Sequence, residues 1–173
     1  RVVGPGDRAP RFTLRDQNGD EVSLEDFAGR TVVLYFYPRA DTPGCTVQAC
    51  GVRDRGDEYD RAGAVVLGVS PDPVEDLRAF DEKFGLGFPL LSDPDHAVAE
   101  AWSTWGEKSM YGKTYMGIIR SSFLVDGDGK IRDAWYKVSP KDTVPNALKA
   151  LHLVFEASGS RGLPSKPVPS RAS

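Results

Sequence analysis

Residues 31–45 read Thr31-Val32-Val33-Leu34-Tyr35-Phe36-Tyr37-Pro38-Arg39-Ala40-Asp41-Thr42-Pro43-Gly44-Cys45. The first seven form a nearly continuous apolar run, rich in β-branched and aromatic residues. That suits a central strand covered on both faces. Pro38 ends it, and Pro43 with Gly44 marks 39–44 as a loop. Residues 45–61 contain no proline and predict a helix, with Gly51 and Gly56 as weak points. Cys45 therefore falls at the start of a helix, after a strand and a tight loop. The first turn of a helix offers unpaired N–H groups and a partial positive charge, and both stabilise a thiolate over a thiol. On position alone, a buried structural cysteine is the competing reading.

The pattern extends outward from this junction. Residues 12–14 and 21–24 flank Asn18-Gly19 and predict an N-terminal β-hairpin. Ala64–Ser70 is a second buried strand. Asp72-Pro73 reads as an N-cap with proline at the first helical position. Leu77, Phe80 and Phe84 then recur at helical spacing, giving a helix over 73–84. Residues 89–91 predict a short strand and 95–102 a short helix. The turn Asp126-Gly127-Asp128-Gly129 joins strands at 122–125 and 131–136. A last helix over 145–156 places Leu148, Leu151 and Phe155 on one face. This order makes an α/β fold: a mixed central sheet flanked by helices on both faces, entered through a β-hairpin. It is the order of a thioredoxin-like fold.

The chain has 173 residues, 40% hydrophobic and 27% charged, as expected of a globular domain. Residues 157–173 are rich in Ser, Pro and Gly, carry Arg161, Lys166 and Arg171, and hold no acid. They read as a disordered basic tail after a domain spanning 1–156. The formal net charge of −3 thus leaves −6 on the body, with 19 basic and 25 acidic residues once the three tail cations are set aside. An acidic body argues against nucleic acid and anionic membranes as partners. The longest apolar run, 31–37, is far short of the roughly 18 residues of a membrane span. No basic-then-apolar leader opens the chain.

The two cysteines, Cys45 and Cys50, are too few for a disulfide scaffold. On one ideal helix they would stand about 140° apart around the axis, with Cα atoms about 8.7 Å apart. A disulfide closes within about 7 Å. Joining them therefore requires the first turns of the helix to unwind, which Gly51 and Gly56 would ease. The spacing Cys-x4-Cys loosely suits zinc, but His96 and His152 are far apart and form no His-x3–5-His pair, so no metal is expected. A Cys-x2-Cys motif is absent, which disfavours a disulfide isomerase.

The stretch from Tyr35 to Thr46 resembles a peroxiredoxin active-site loop, with Pro38, Thr42 and Cys45 matching Pro-x3-Thr-x2-Cys. Cys50, five positions on, resembles the peroxiredoxin Q subfamily, also called bacterioferritin comigratory protein. Gly117-Ile118-Ile119-Arg120-Ser121-Ser122-Phe123-Leu124-Val125-Asp126 is similar to the family's second signature, which supplies an active-site arginine. The resemblance runs over 7–155. It implies a thiol-dependent peroxidase for hydrogen peroxide and alkyl hydroperoxides. In that scheme Cys45 is the peroxidatic cysteine and passes through a sulfenic acid. Thr42 hydrogen-bonds the peroxide and the thiolate, and Arg120 holds positive charge against the sulfur and the leaving oxygen. The backbone N–H groups of Gly44 and Cys45 complete the donor set, and Pro38 shields the sulfur from water. Cys50 resolves the intermediate as an intramolecular disulfide, and thioredoxin or a similar dithiol reopens it.

The resemblance further implies no metal or organic cofactor and a monomer; a cytoplasmic location is the default, since reducing conditions there keep the pair reduced between turnovers. Gln48 stands where many relatives have Glu and others Gln. Trp102 and Trp105, with the loop that follows them, are expected near the mouth of the site. A peroxide sensor that signals through helix unwinding shares the same chemistry and is the alternative. A non-catalytic binding module is disfavoured by Pro38, Thr42, Cys45 and Arg120 standing in place together.

Overall fold

The structure, a computed structural model, describes residues 2–157, with side chains through Leu151. Apart from the backbone of Ala157, the expected tail lies outside the described residues, as do the side chains of His152 and Phe155. The chain runs β1 (Thr13–Arg15), β2 (Glu21–Ser23), a 3-10 turn (Leu24–Phe27), β3 (Thr31–Phe36), α1 (Pro43–Asp54), α2 (Gly56–Arg61), β4 (Ala64–Ser70) and α3 (Val74–Phe84). It continues through β5 (Leu90–Ser92), α4 (Ala97–Ala101), β6 (Trp105–Met110), β7 (Lys113–Ile118), β8 (Ser121–Val125), β9 (Ile131–Trp135), a 3-10 turn (Pro140–Asp142) and α5 (Thr143–Ala157).

Seven strands form one mixed sheet in the order β2-β1-β5-β4-β3-β8-β9. The inner strands β3, β4 and β5 are parallel, and β8 pairs antiparallel with β3. The apolar run that opens the chain's reading is thus flanked on both edges, with Tyr35 opposite Gly68 on one side and Ser122 on the other. Its side chains alternate between two cores. Val33, Tyr35 and Tyr37 meet Ala49, Val52, Tyr59, Leu77, Phe80 and Leu148 from α1, α2, α3 and α5. Val32, Leu34 and Phe36 meet Leu24, Ala99, Trp102 and Phe123 on the other face. Fully burying a large apolar side chain contributes about 1.5–3 kcal/mol, so both faces of β3 hold the fold together. Gly68 is required here: a Cβ would come within 3.0 Å of the Tyr35 ring.

Four expectations change. The helix over 45–61 is two helices, broken at Arg55, with Gly56 opening α2. The first of them starts earlier, with Thr42 as N-cap and Pro43 in its first turn. Pro73 rather than Asp72 is the N-cap of α3, because the Asp72 carboxylate is engaged elsewhere. Residues 105–118 are a β-hairpin, not a loop. Its two-residue turn, Tyr111-Gly112, has positive φ at both positions, as a tight hairpin turn requires. Finally, Trp102 is wholly buried on the face of the sheet opposite Cys45, edge-on to Phe123 at 5.0 Å. Trp105 is partly buried at the root of the hairpin and stacks on His96 at 3.8 Å. Both indoles belong to the core on the face opposite Cys45, although Trp105 pairs with Ile118, two residues before Arg120.

Candidate active site

The carboxyl end of β3 delivers the chain into the loop before α1, and that loop is held from several sides. The Asp72 carboxylate accepts the Ala40 N–H at 2.7 Å and the Ser70 hydroxyl at 2.7 Å. Asp41 adopts a left-handed conformation at φ 58°, which aspartate tolerates better than most residues, and its carboxylate meets Lys83 Nζ at 2.8 Å. Both members of that ion pair are about half exposed, so it contributes little. The Thr42 hydroxyl donates to the Arg39 carbonyl at 2.8 Å. Its proton is thereby committed, and what it offers outward is a lone pair. Pro38 is partly buried at the exit of the strand.

Cys45 is buried in the first turn of α1 with 1% of its surface exposed. The first-turn N–H groups of Gly44 and Cys45 have no carbonyl within the helix to receive them, and no acidic side chain occupies that turn. Arg120, between β7 and β8, faces the sulfur. Its Nη2 donates to Cys45 Sγ at 3.3 Å and its Nη1 to Gln48 Oε1 at 2.5 Å. Gln48 Nε2 donates in turn to Thr143 Oγ1 at 2.6 Å, where α5 begins. Gln48 and Thr143 are wholly buried. As an amide, Gln48 orients the guanidinium without cancelling its charge. Gly44 makes room for this fork, because a Cβ there would come within 3.1 Å of Pro140 Cγ and 3.2 Å of Arg120 Nη2.

Beneath the sulfur lie Tyr35, Tyr37 and Tyr59 in the same core. Burial, then the neighbouring Tyr37, Cys45 and Tyr59, pushes the Tyr35 phenol well above its ordinary value. It stays neutral and adds no negative charge to the floor of the site. Cys50 is on the same continuous helix, partly buried against this core, and both thiols are free. Gly51 lets α1 approach α5, with a Cβ there 3.3 Å from Val144.

The structure therefore brings Cys45, Gly44 and Arg120 into contact. Thr42 sits one turn away with its hydroxyl turned to Arg39, and Cys50 lies further along the helix. Sequence reasoning missed the bridging role of Gln48, its anchor Thr143 and the loop-pinning carboxylate of Asp72. Only Gln48 had a local signal, at the third position after Cys45. Among the described residues, no group of three His, Cys, Asp or Glu side chains could hold a metal ion.

A family model described as the AhpC/TSA family matches residues 5–134. Peroxiredoxin Bcp of Escherichia coli K12 is 56% identical over 147 residues, covering 83% of this chain and 94% of that one. The chain belongs to the peroxiredoxins of the AhpC/TSA family. A second member, peroxiredoxin Bcp of Bacillus subtilis, is 46% identical over 146 residues, covering 84% and 93% of the two chains. Among solved structures, Xanthomonas campestris bacterioferritin comigratory protein, studied for alkyl peroxide reduction, superposes with a TM-score of 0.78 at 39% identity. That match covers 83% of this chain and 91% of the other. Pro38, Thr42 and Cys45 all lie on the short segment from the end of β3 to the first turn of α1, and Arg120 reaches the Cys45 sulfur from just before β8, the strand paired with β3.

Proposed function

We propose that this peroxiredoxin reduces hydrogen peroxide and alkyl hydroperoxides at Cys45 and resolves the product through Cys50. The observation that carries the reading is the Arg120 fork on Cys45 Sγ within an otherwise closed first turn. The Cys45 thiolate attacks the terminal peroxide oxygen. The S–O bond forms as the O–O bond breaks, and the leaving oxygen departs with the electron pair and takes a proton to become water or an alcohol. Arg120 Nη2 and the first-turn N–H groups face the charge that moves from sulfur to oxygen. Thr42, its own proton held by Arg39, accepts the peroxide O–H and aligns it. Pro38, partly buried at the exit of β3, shields the sulfur from bulk water in this scheme.

Resolution follows from the helix. Cys45 and Cys50 are both inside α1, and a disulfide between them needs its first turns to unwind. The Cys50 thiolate then displaces hydroxide from the Cys45 sulfenic acid, the two sulfurs join, and the hydroxide leaves as water once protonated. A thioredoxin-like dithiol reduces the disulfide by exchange and is itself oxidised. No metal or organic cofactor enters this cycle, and it works within a single chain. Among the described residues no helix is long and apolar enough to cross a membrane.

The test is to mix the reduced protein with one equivalent of hydrogen peroxide and follow thiol loss, folded and in denaturant. The expected product is a monomer two hydrogens lighter, formed orders of magnitude faster in the folded chain. C50S is expected to stop at an adduct one oxygen heavier. Equal rates in the folded and unfolded chains would remove Cys45 from the role.

A further inference from the structure

The β6–β7 hairpin is rooted beside Arg120, which follows the end of β7 by two residues. On one face of the hairpin Lys108 pairs with Tyr115 and Met110 with Lys113. Lys108 turns inward from that face. Its Nζ donates to the Ile118 carbonyl at 2.7 Å, and its stem crosses the backbone at Gly117, where a Cβ would come within 3.2 Å of Lys108 Cδ. The ammonium thus lies at the root of the strand that leads directly into Arg120. Burial and then the like charge of Arg120 push it below its ordinary value, while a negative sulfur at Cys45 pulls it back up. The two cations and the sulfur share one electrostatic neighbourhood.

The charges in that neighbourhood do not balance. Among the described residues neither Lys108 nor Arg120 is paired with a carboxylate. Their acceptors are the Ile118 carbonyl, the Gln48 amide and the Cys45 sulfur. Glu107, next in sequence to Lys108, lies on the opposite face of the strand, paired with Met116. Two cations therefore share that neighbourhood with a single sulfur, and the Lys108 ammonium has no carboxylate partner among the described residues, which leaves it free to meet an anionic ligand. Beside it, Tyr115 and Met110 are 43% and 56% exposed and give apolar surface.

We propose that Lys108 is a specificity-determining residue that makes the site prefer a hydroperoxide bearing a carboxylate over a neutral one of the same size. The carboxylate lies against the Lys108 ammonium, which Tyr115 flanks at 6.0 Å, and the carbon skeleton runs from there past the root of the hairpin so that the O–O bond reaches Cys45. The inference rests on the peroxidatic reading of Cys45.

The experiment measures single-turnover oxidation of the reduced full chain by stopped flow with hydrogen peroxide, cumene hydroperoxide and the para-carboxylate of cumene hydroperoxide. Two unit charges in contact at about 4 Å in a water-like medium interact by about 1 kcal/mol, so the carboxylate is expected to raise the rate constant over the neutral analogue about fivefold. Salt should erode that ratio. In K108M the ratio should fall to about one, and in K108R it should return. Because the ratio compares two peroxides on one protein, a general loss of order cancels from it. A parent ratio of one, or a ratio that K108M leaves unchanged, overturns the assignment of Lys108. If the parent is no faster than unfolded chain with hydrogen peroxide, the peroxidatic reading of Cys45 fails first and takes this assignment with it.

Discussion

Replacing Arg120 with alanine removes both arms of the guanidinium fork at once, and the two arms should show up in different measurements. The Nη2 arm ends on Cys45 Sγ at 3.3 Å, where, in the proposed reaction, charge leaves the sulfur as the O–O bond breaks. A hydrogen bond to a charged group contributes about 1.5–3 kcal/mol, and 1.36 kcal/mol is a factor of ten in rate, so loss of this arm slows the peroxide reaction roughly 10- to 150-fold. The Nη1 arm ends on the buried Gln48 Oε1 at 2.5 Å. Leaving that acceptor without a donor costs about 1–3 kcal/mol of folding free energy, partly offset because a half-buried cation no longer has to be desolvated. Lysine keeps the charge but not the fork, so R120K should fall between parent and R120A in rate. Stopped-flow oxidation of the thiol by hydrogen peroxide gives the rate, and urea unfolding of the same variants gives the stability. A folded R120A that reacts at the parent rate would refute the reasoning. So would a variant that loses stability alone.

Three further perturbations separate geometry from charge. In G44A the new Cβ meets Pro140 Cγ and Arg120 Nη2 at 3.1 and 3.2 Å, while helix propensity favours alanine. Stability should change by less than about 1 kcal/mol while the peroxide rate falls about tenfold; a parent-like rate would show that Arg120 can shift and still hold the sulfur. D72A removes the acceptor of the Ala40 N–H and the Ser70 hydroxyl. It should cost about 1–2 kcal/mol and speed amide exchange at Ala40, and exchange as slow as in the parent would show that the loop is held by something else. Asp93 accepts the N–H groups of Val98 and Ala99 at the start of α4, yet burial holds its carboxyl above the ordinary 3.8. As pH rises from 3.8 through that raised folded value, the unfolded chain releases its proton first, so this group alone lowers stability across the window. D93N should flatten that part of the profile of urea midpoint against pH, and an identical profile would exclude Asp93 as its source.

What could be read from the sequence was what is written locally. The apolar run of β3 announced a strand buried on both faces, and its alternation into two cores follows from the two-residue period of a strand. The Pro38, Thr42 and Cys45 spacing fixed the junction, and the resemblance around Arg120 placed the guanidinium that does reach the sulfur. The hairpin at 105–118 was missed because much of it, 113–116 above all, is exposed, so the apolar alternation that normally marks a strand is absent. Trp102 was misplaced because adjacency to Trp105 in sequence says nothing about which face of the sheet each indole takes. Gln48 and Thr143 are 95 positions apart, and Asp72 reaches across 32 positions to Ala40, so neither link has a local signature.

Those unwritten links bear on the proposed cycle. Unwinding α1 to bring Cys50 to Cys45 must carry Gln48 away from both Arg120 and Thr143, since Gln48 lies between the two cysteines. The bonds that orient Arg120 for the attack are then broken for the resolution. Strengthening the Gln48 bridge would favour the first step and slow the second, so the two steps cannot be optimised independently. In the proposed cycle, the buried amide that links α1 to α5 would set the balance between them.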